Sequence, residues 1–256
     1  GYDLRQLMNP EMLDRVKHRS PSRWTEITNV VAEPGPHHVK FKPGAAVAII
    51  RCCLEALERL HSLGIVHGDV KPENIMISPD GEVKLIDIGS AFEWKESHQP
   101  YFCTPRYAGL EVLERDECTP RSDLASVGYV LMELLTGCPV FPEKKPAGPQ
   151  ETSMPQEAST GIKAPVDREL ANAKRGLPAQ LDQLLKGHSP RLLQLCRRLI
   201  DPDPGRRFAS ALDAELEAYA FVQELERAKL ACHFPNEFRL WLEACAAPLN
   251  AAAATR

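Results

Sequence analysis

The sequence predicts a mainly α fold, a helical bundle carrying one small β-hairpin. Helical periodicity over residues 44–63, an almost wholly apolar helical stretch over 122–136, and a cluster of short β-branched runs around a turn predict it. With 256 residues, 43% hydrophobic and 26% charged, the chain can bury a substantial core.

In the first helical stretch Ile50, Cys53, Leu54, Leu57 and Leu60 line one face, while Arg51, Glu55, Glu58 and Arg59 face away. Gly64 is its stop signal. Ile65-Val66, Ile75-Met76-Ile77 and Val83-Lys84-Leu85-Ile86 read as brief strands. Ser78-Pro79-Asp80-Gly81 supplies the turn that makes the last two a hairpin. The second helix carries Leu124, Val127, Val130, Leu131, Leu134 and Leu135 round its circumference, so it belongs in the core, with Gly137 ending it. Ser189-Pro190 opens a helix through about Ile200, and Ser210 caps another reaching about Ala231. Phe238, Leu240, Trp241 and Leu242 predict a last short helix. Residues 17–43 and 142–166, rich in proline or polar residues, lack periodicity and read as loop insertions. The domain expectation is one body over 1–231 and a helical extension and tail over 232–256.

Chemistry concentrates in His67-Gly68-Asp69-Val70-Lys71-Pro72-Glu73-Asn74 and, after a short gap, Asp87-Ile88-Gly89. A loop leaving one strand carries Asp69 to Asn74, and the return strand of the hairpin brings Asp87 back to the same end. Singly, Asp69 and Asp87 read as turn or cap carboxylates, Lys71 as a surface charge and Asn74 as a loop former. Converged, they supply what phosphoryl transfer requires: a carboxylate to orient a hydroxyl, a cation for phosphate charge, and oxygen ligands for Mg²⁺.

Residues 64–137 resemble the catalytic half of a eukaryotic-type Ser/Thr protein kinase. His67-Gly68-Asp69 to Asn74 stands where that family has His-Arg-Asp-Leu-Lys-Pro-x-Asn, and Asp87-Ile88-Gly89 where it has Asp-Phe-Gly. The resemblance implies a protein-kinase-like C-lobe, with Asp69 as catalytic base, Lys71 steadying the transferred phosphate, and Asn74 and Asp87 holding Mg²⁺ against ATP. Cys103-Thr104-Pro105-Arg106-Tyr107-Ala108-Gly109-Leu110-Glu111 resembles the close of a kinase activation loop. There Thr104 would sit by Asp69 and Lys71 and favour Ser or Thr acceptors on protein substrates, and Glu111 would pair with Arg207. Asp123 resembles the acid that anchors the catalytic loop backbone, and His67 reads as structural. Gly68, where the family carries arginine, implies that phosphate-gripping control of the activation loop is weak or absent.

No G-x-G-x-x-G and no strand-lysine context precede residue 64, and residues 1–8 resemble the segment following the hinge between lobes. The expectation is therefore a C-lobe portion of a longer kinase, binding ATP poorly by itself. Two other readings stay open: a pseudokinase or protein-binding module, and a small-molecule phosphotransferase of the aminoglycoside or choline kinase type. Lys71-Pro72 and the Thr104 to Glu111 segment argue against the latter.

A net charge of -4 gives no electrostatic footprint for nucleic acid or anionic membrane. No apolar run reaches transmembrane length, the N-terminal segment lacks a signal-peptide pattern, and Arg5 stands where a myristoylation signal wants Ser or Thr, so the expectation is a cytoplasmic protein. The eight cysteines show no paired C-x-x-C spacing and read as free thiols, with Cys103 on an exposed loop.

Overall fold

Asp3 accepts a hydrogen bond from the Gln6 amide while the Gln6 side chain accepts from the Asp3 amide, and this reciprocal cap sets the first helical turn. The computed structural model describes residues 1–11, 31–95, 103–114, 117–142, 167–228 and 239–243. Strand β1 (Tyr2–Asp3) leads into that turn, α1 (Leu4–Leu7), which Leu4 and Leu7 hold in the core.

The predicted loop over 17–43 needs correction within its described part. Ala32–Pro34 (β2) and Val39–Phe41 (β3) form an antiparallel pair with Ala32 opposite Phe41. Ala32, Val39 and Phe41 are buried, and Pro34 sits at the strand end, where a missing N–H does least harm. The prolines hid a period-2 pattern too short to stand out. Residues 17–30 of that call, and 143–166 of the second insertion, lie outside the described residues.

Helix α2 (Pro43–Ser62) follows, and Gly64, at φ +77°, turns the chain out of it. Its predicted apolar face is buried at Ile50, Cys53, Leu54 and Leu57. Two of its charges do not face water as expected. Arg51 donates to Glu215 Oε1 from Nε at 2.8 Å and lies over the Tyr219 ring, and Glu58 accepts from the Leu212 amide at 2.9 Å. Their partners come from a helix more than 150 residues on, which no local pattern reveals.

Strand β4 (Ile65–Val66) pairs with β7 (Phe92–Glu93). The predicted hairpin is present as β5 (Ile75–Ile77) and β6 (Val83–Leu85), with Ile75 opposite Leu85. The sequence reading left out the third strand, β1, which adds to β5 to give the order β1-β5-β6.

Beyond the sheets come α3 (Leu110–Leu113), α4 (Pro120–Thr136), α5 (Arg168–Leu184), α6 (Pro190–Leu199) and α7 (Ala211–Arg227). Thr119 and Ser122 form a capping box at α4, and Gly137 closes that helix at φ +67°. Ser189 and Ser210 cap α6 and α7 as predicted. Helix α4 is buried along almost its whole length, and α2, α6 and α7 pack against it. Gly128 allows a close approach, since a Cβ there would stand 2.7 Å from Ile200 Cγ2 and 2.8 Å from Leu199 Cβ. Helix α5 went unassigned in the sequence because Gly176 and Pro178 interrupt its propensity. Asp167 caps it, and Ala171, Lys174, Leu177 and Leu181 supply the buried stripe that holds it. The predicted last helix is present at 239–243, with Trp241 fully buried 6.1 Å edge-on from Phe41. Among the described residues no helix is long and apolar enough to cross a membrane.

Candidate active site

The loop from His67 to Asn74 is irregular and half-enclosed, so its backbone groups need partners. Asp123, at the N-terminal end of α4, supplies two: Oδ2 accepts from the His67 amide and Oδ1 from the Gly68 amide, both at 2.9 Å. His61 Nε2 lies 2.9 Å from Asp123 Oδ2 and holds the carboxylate in turn. His67 is fully buried; its Nδ1 accepts from the Asp69 amide at 3.4 Å, while its Nε2 lies 3.3 Å from the Ile86 carbonyl. It braces the loop, in keeping with the structural role read from the sequence. Gly68 sits at φ +80°, where a side chain is strained, and a Cβ would come 3.1 Å from the Ser90 carbonyl.

With the loop braced, Asp69, Lys71, Asn74 and Thr104 meet, while Asp87 makes no side-chain hydrogen bond to them. Lys71 Nζ donates to Asp69 Oδ2 at 2.5 Å and to Thr104 Oγ1 at 3.0 Å. The Thr104 amide donates to Asp69 Oδ1 at 2.8 Å. Asn74 Nδ2 donates to the Asp69 carbonyl at 2.9 Å, which fixes its amide so that Oδ1 is the atom it offers a cation. The Ile86 amide donates to the Asn74 carbonyl at 2.9 Å, continuing the β5–β6 ladder by one residue up to the position before Asp87.

Asp87 is exposed and holds a left-handed backbone, φ 62° and ψ 74°, with Oδ1 accepting from the Gly89 amide at 3.2 Å. It is the single non-glycine residue with positive φ among the described residues. Backbone strain of this kind concentrates at functional positions. Burial pushes the Asp69 carboxyl up, but the Lys71 ammonium and the Thr104 donors outweigh it and leave the group below its ordinary value. Asp69 is therefore ionised at neutral pH.

The segment carrying Thr104 is tied down at both ends. The amides of Tyr107 and Ala108 donate to the Thr104 carbonyl at 2.9 and 3.1 Å. Further on, Arg207 donates from both terminal nitrogens to the two Glu111 oxygens at 2.8 and 2.7 Å, with the guanidinium wholly buried. Two further donors go to the carbonyls of Asp201 and Arg121. Cys103 is half-buried rather than exposed, and burial, with the Asp69 carboxylate next, raises its thiol and disfavours thiolate.

Two residues near the site escaped the sequence reading. Lys174 of α5 is buried, donates to the Arg106 carbonyl at 2.8 Å and lies 3.9 Å from the Tyr129 ring centroid. Burial holds its amine well below the ordinary lysine range. Arg5 of α1 is bound by Glu73, Glu133 and Tyr107. Neither stands in a local motif, and only the tertiary fold brings its partners to it.

The protein kinase domain family model matches residues 19–218. That span takes in the loop at 67–74, Asp87, Thr104 and the Glu111–Arg207 pair. The chain belongs to the protein kinase family. Its curated relatives include serine/threonine-protein kinase PknL of Mycobacterium tuberculosis, 34% identical over 78% of this chain and 45% of the relative. Ribosomal protein S6 kinase alpha-3 of Homo sapiens is 32% identical over 68% of this chain and 21% of its own length. The cGMP-dependent protein kinase, isozyme 1, of Drosophila melanogaster is 38% identical over 41% of this chain and 14% of its own. The chain thus spans less than half the length of these relatives. The family match and the Ser/Thr kinase relatives point to the eukaryotic-type Ser/Thr kinase family.

Proposed function

We propose that this chain forms the phosphoryl-transfer half, the C-lobe, of a serine/threonine protein kinase that moves the γ-phosphate of ATP to hydroxyls of protein substrates. The observation that carries the reading is the closed set made by Asp69, Lys71 and Thr104, in which one ammonium joins the carboxylate to the threonine hydroxyl. Residues 1–231 form this unit in the proposal, and 232–256 an extension from it. Its wide match to Ser/Thr kinase relatives and its retained lysine favour protein acceptors over small alcohols.

Each side chain has a part that its geometry supports. Asp69, ionised and aimed by Lys71 and Thr104, accepts a hydrogen bond from the acceptor hydroxyl, orients it and takes its proton as the new P–O bond forms and the bond from the γ-phosphorus to the bridging oxygen breaks, releasing ADP. Lys71 supplies positive charge where the phosphoryl group passes. Thr104 holds the acceptor segment at the distance set by its bond to Lys71. Asn74 and Asp87 would hold a Mg²⁺ ion through hard oxygen ligands, the donor type that cation prefers. When bound, the ion supplies charge neutralisation for the nucleotide phosphates.

Asp69→Asn keeps the size and the hydrogen-bond reach of the side chain while removing its charge. In the full-length protein it should lower phosphate transfer to a serine peptide by about 10²- to 10⁴-fold, the range of general-base contributions, measured with radiolabelled ATP. Undiminished transfer would exclude Asp69 as the base.

A further inference from the structure

Helix α7 turns an apolar stripe to solvent. Leu212, Leu216 and Tyr219 are 49%, 55% and 42% exposed, at spacings that put all of them on one helix face. The opposite face is used by the core, through Ala211, Ala214, Ala218 and Phe221. Large apolar side chains scattered singly are ordinary on a surface, whereas a continuous row along one helix face marks an interaction site.

The stripe is fixed in place by α2, which packs beside it. The Leu212 amide donates to Glu58 Oε2 at 2.9 Å, Arg51 Nε donates to Glu215 Oε1 at 2.8 Å, and the Arg51 guanidinium lies 4.7 Å from the Tyr219 ring centroid. Glu58 thus meets the start of α7 and Arg51 its middle, so the two helices run antiparallel. Glu55, exposed and one turn from both Arg51 and Glu58 on the same face of α2, borders the stripe. On α7 itself the exposed Glu226 lies on the side of Glu215, towards α2, and the exposed Asp213 and Glu224 lie on the side of Glu217, towards α6. Both borders are therefore acidic. Of the nearby cations, Arg51 is bound to Glu215 beneath Tyr219, and Arg191 of α6 is bound to Glu217 and Glu224. Arg59 and Arg227 stand towards opposite ends of the stripe.

That charge pattern separates the candidate occupants. A second copy of this chain would bring acidic borders against acidic borders, and an anionic lipid surface would be repelled. A helix with its own apolar row and lysine or arginine on either side of it matches both the stripe and its borders. We propose that the face of Leu212, Leu216 and Tyr219 is a docking surface for a cationic amphipathic helix of another protein, whose basic residues lie against Glu55, Asp213, Glu224 and Glu226. Asp69, Lys71, Asn74, Asp87 and Thr104 all lie outside α2 and α7, so a partner held there engages none of the side chains assigned to the reaction.

The test uses the 256-residue chain and a fluorescein-labelled leucine–lysine peptide of about four helical turns, with its leucines on one face, followed by anisotropy. Leu212→Ser/Leu216→Ser should weaken binding at least about tenfold, the loss expected for two half-exposed leucines, with an unchanged melting temperature. The same peptide with glutamate for lysine should bind the wild type at least about tenfold more weakly, and Glu55→Lys/Glu226→Lys should weaken the lysine peptide at least about threefold at low salt. Leu184→Ser, at an exposed leucine of α5, should leave the affinity unchanged. Should the double serine variant fold poorly, Leu216→Gln gives a second background with a loss in the same direction. Equal affinity for the wild type and a folded stripe variant, an equal loss in Leu184→Ser, or indifference to the sign of the peptide charge overturns the proposal. So does either other occupant: a wild-type dimer in sedimentation, or binding to phosphatidylserine vesicles, that Leu212→Ser/Leu216→Ser abolishes. No phosphoryl transfer enters these measurements, so failure of the docking surface and failure of the kinase assignment are told apart.

Discussion

Asp69 shows how much work a single side chain can do without contacting another molecule. Both of its carboxylate oxygens and its backbone are held, by Lys71, Thr104, Asn74 and His67. Such pre-organisation is what lets a carboxylate orient a hydroxyl without rearranging during the reaction. Gly68 makes the complementary point. At φ +80° it is at ease where the arginine usual in related kinases would be strained. Gly68→Arg should cost about 1–2 kcal/mol, read as a lower denaturant midpoint with an unchanged slope; unchanged stability would show that the loop relaxes freely. The identities of Asp69, Lys71, Asn74, Asp87 and Thr104 were legible in the sequence because they sit in ordered motifs. The bonds of Arg5 and Lys174 were not, because their partners are brought in by packing between segments far apart in the chain, 68 residues for Arg5 to Glu73 and for Lys174 to Arg106.

At the scale of elements, the helices that the sequence reveals are those with a one-sided pattern and a clear stop. Helices α2 and α4 came through to within a few residues, since Gly64 and Gly137 punctuate them. Helix α5 and the β2–β3 pair did not, since proline or glycine within them contradicts local propensity and only burial against the core decides the outcome. Gly128 marks a close junction of α4 with the end of α6. Gly128→Ala should overpack it against Leu199 and Ile200 and cost about 1–3 kcal/mol. Chemical denaturation checks this; a neutral result would mean that α6 can slide away. The Glu111–Arg207 pair joins α3 to the segment before α7. Arg207→Met leaves a buried carboxylate without its cation, and should destabilise the fold by about 3–5 kcal/mol. Arg207→Met combined with Glu111→Leu should recover much of that loss.

For the whole molecule, the depressed carboxyls link stability to acid. Asp69 and Glu111 both sit below their ordinary values: for each, burial pushes up and the cationic partner, Lys71 or Arg207, pulls down further. The unfolded chain therefore takes up protons at higher pH than the folded one does. Their contribution is full above the ordinary carboxylate range and is lost as pH falls through the lowered folded values. The melting temperature should hold steady from neutral pH to the ordinary carboxylate range and then drop. Asp69→Asn should shed part of that drop; an identical acid profile would show that Lys71 gives Asp69 no net preference for its charged form in the fold.

Helix α4 joins two of these themes in one rigid body. Asp123 near its start grips the backbone of the loop bearing Asp69, and Glu133 further along accepts from Arg5. Ten residues at helical rise place the two about 15 Å apart along the axis. A buried rod of this kind works as a gauge, fixing how far the reacting centre lies from the charge beside it. Inserting one residue between Leu124 and Met132 would turn one end about 100° against the other. Both tasks could then not be met at once, even with every side chain named above still in place.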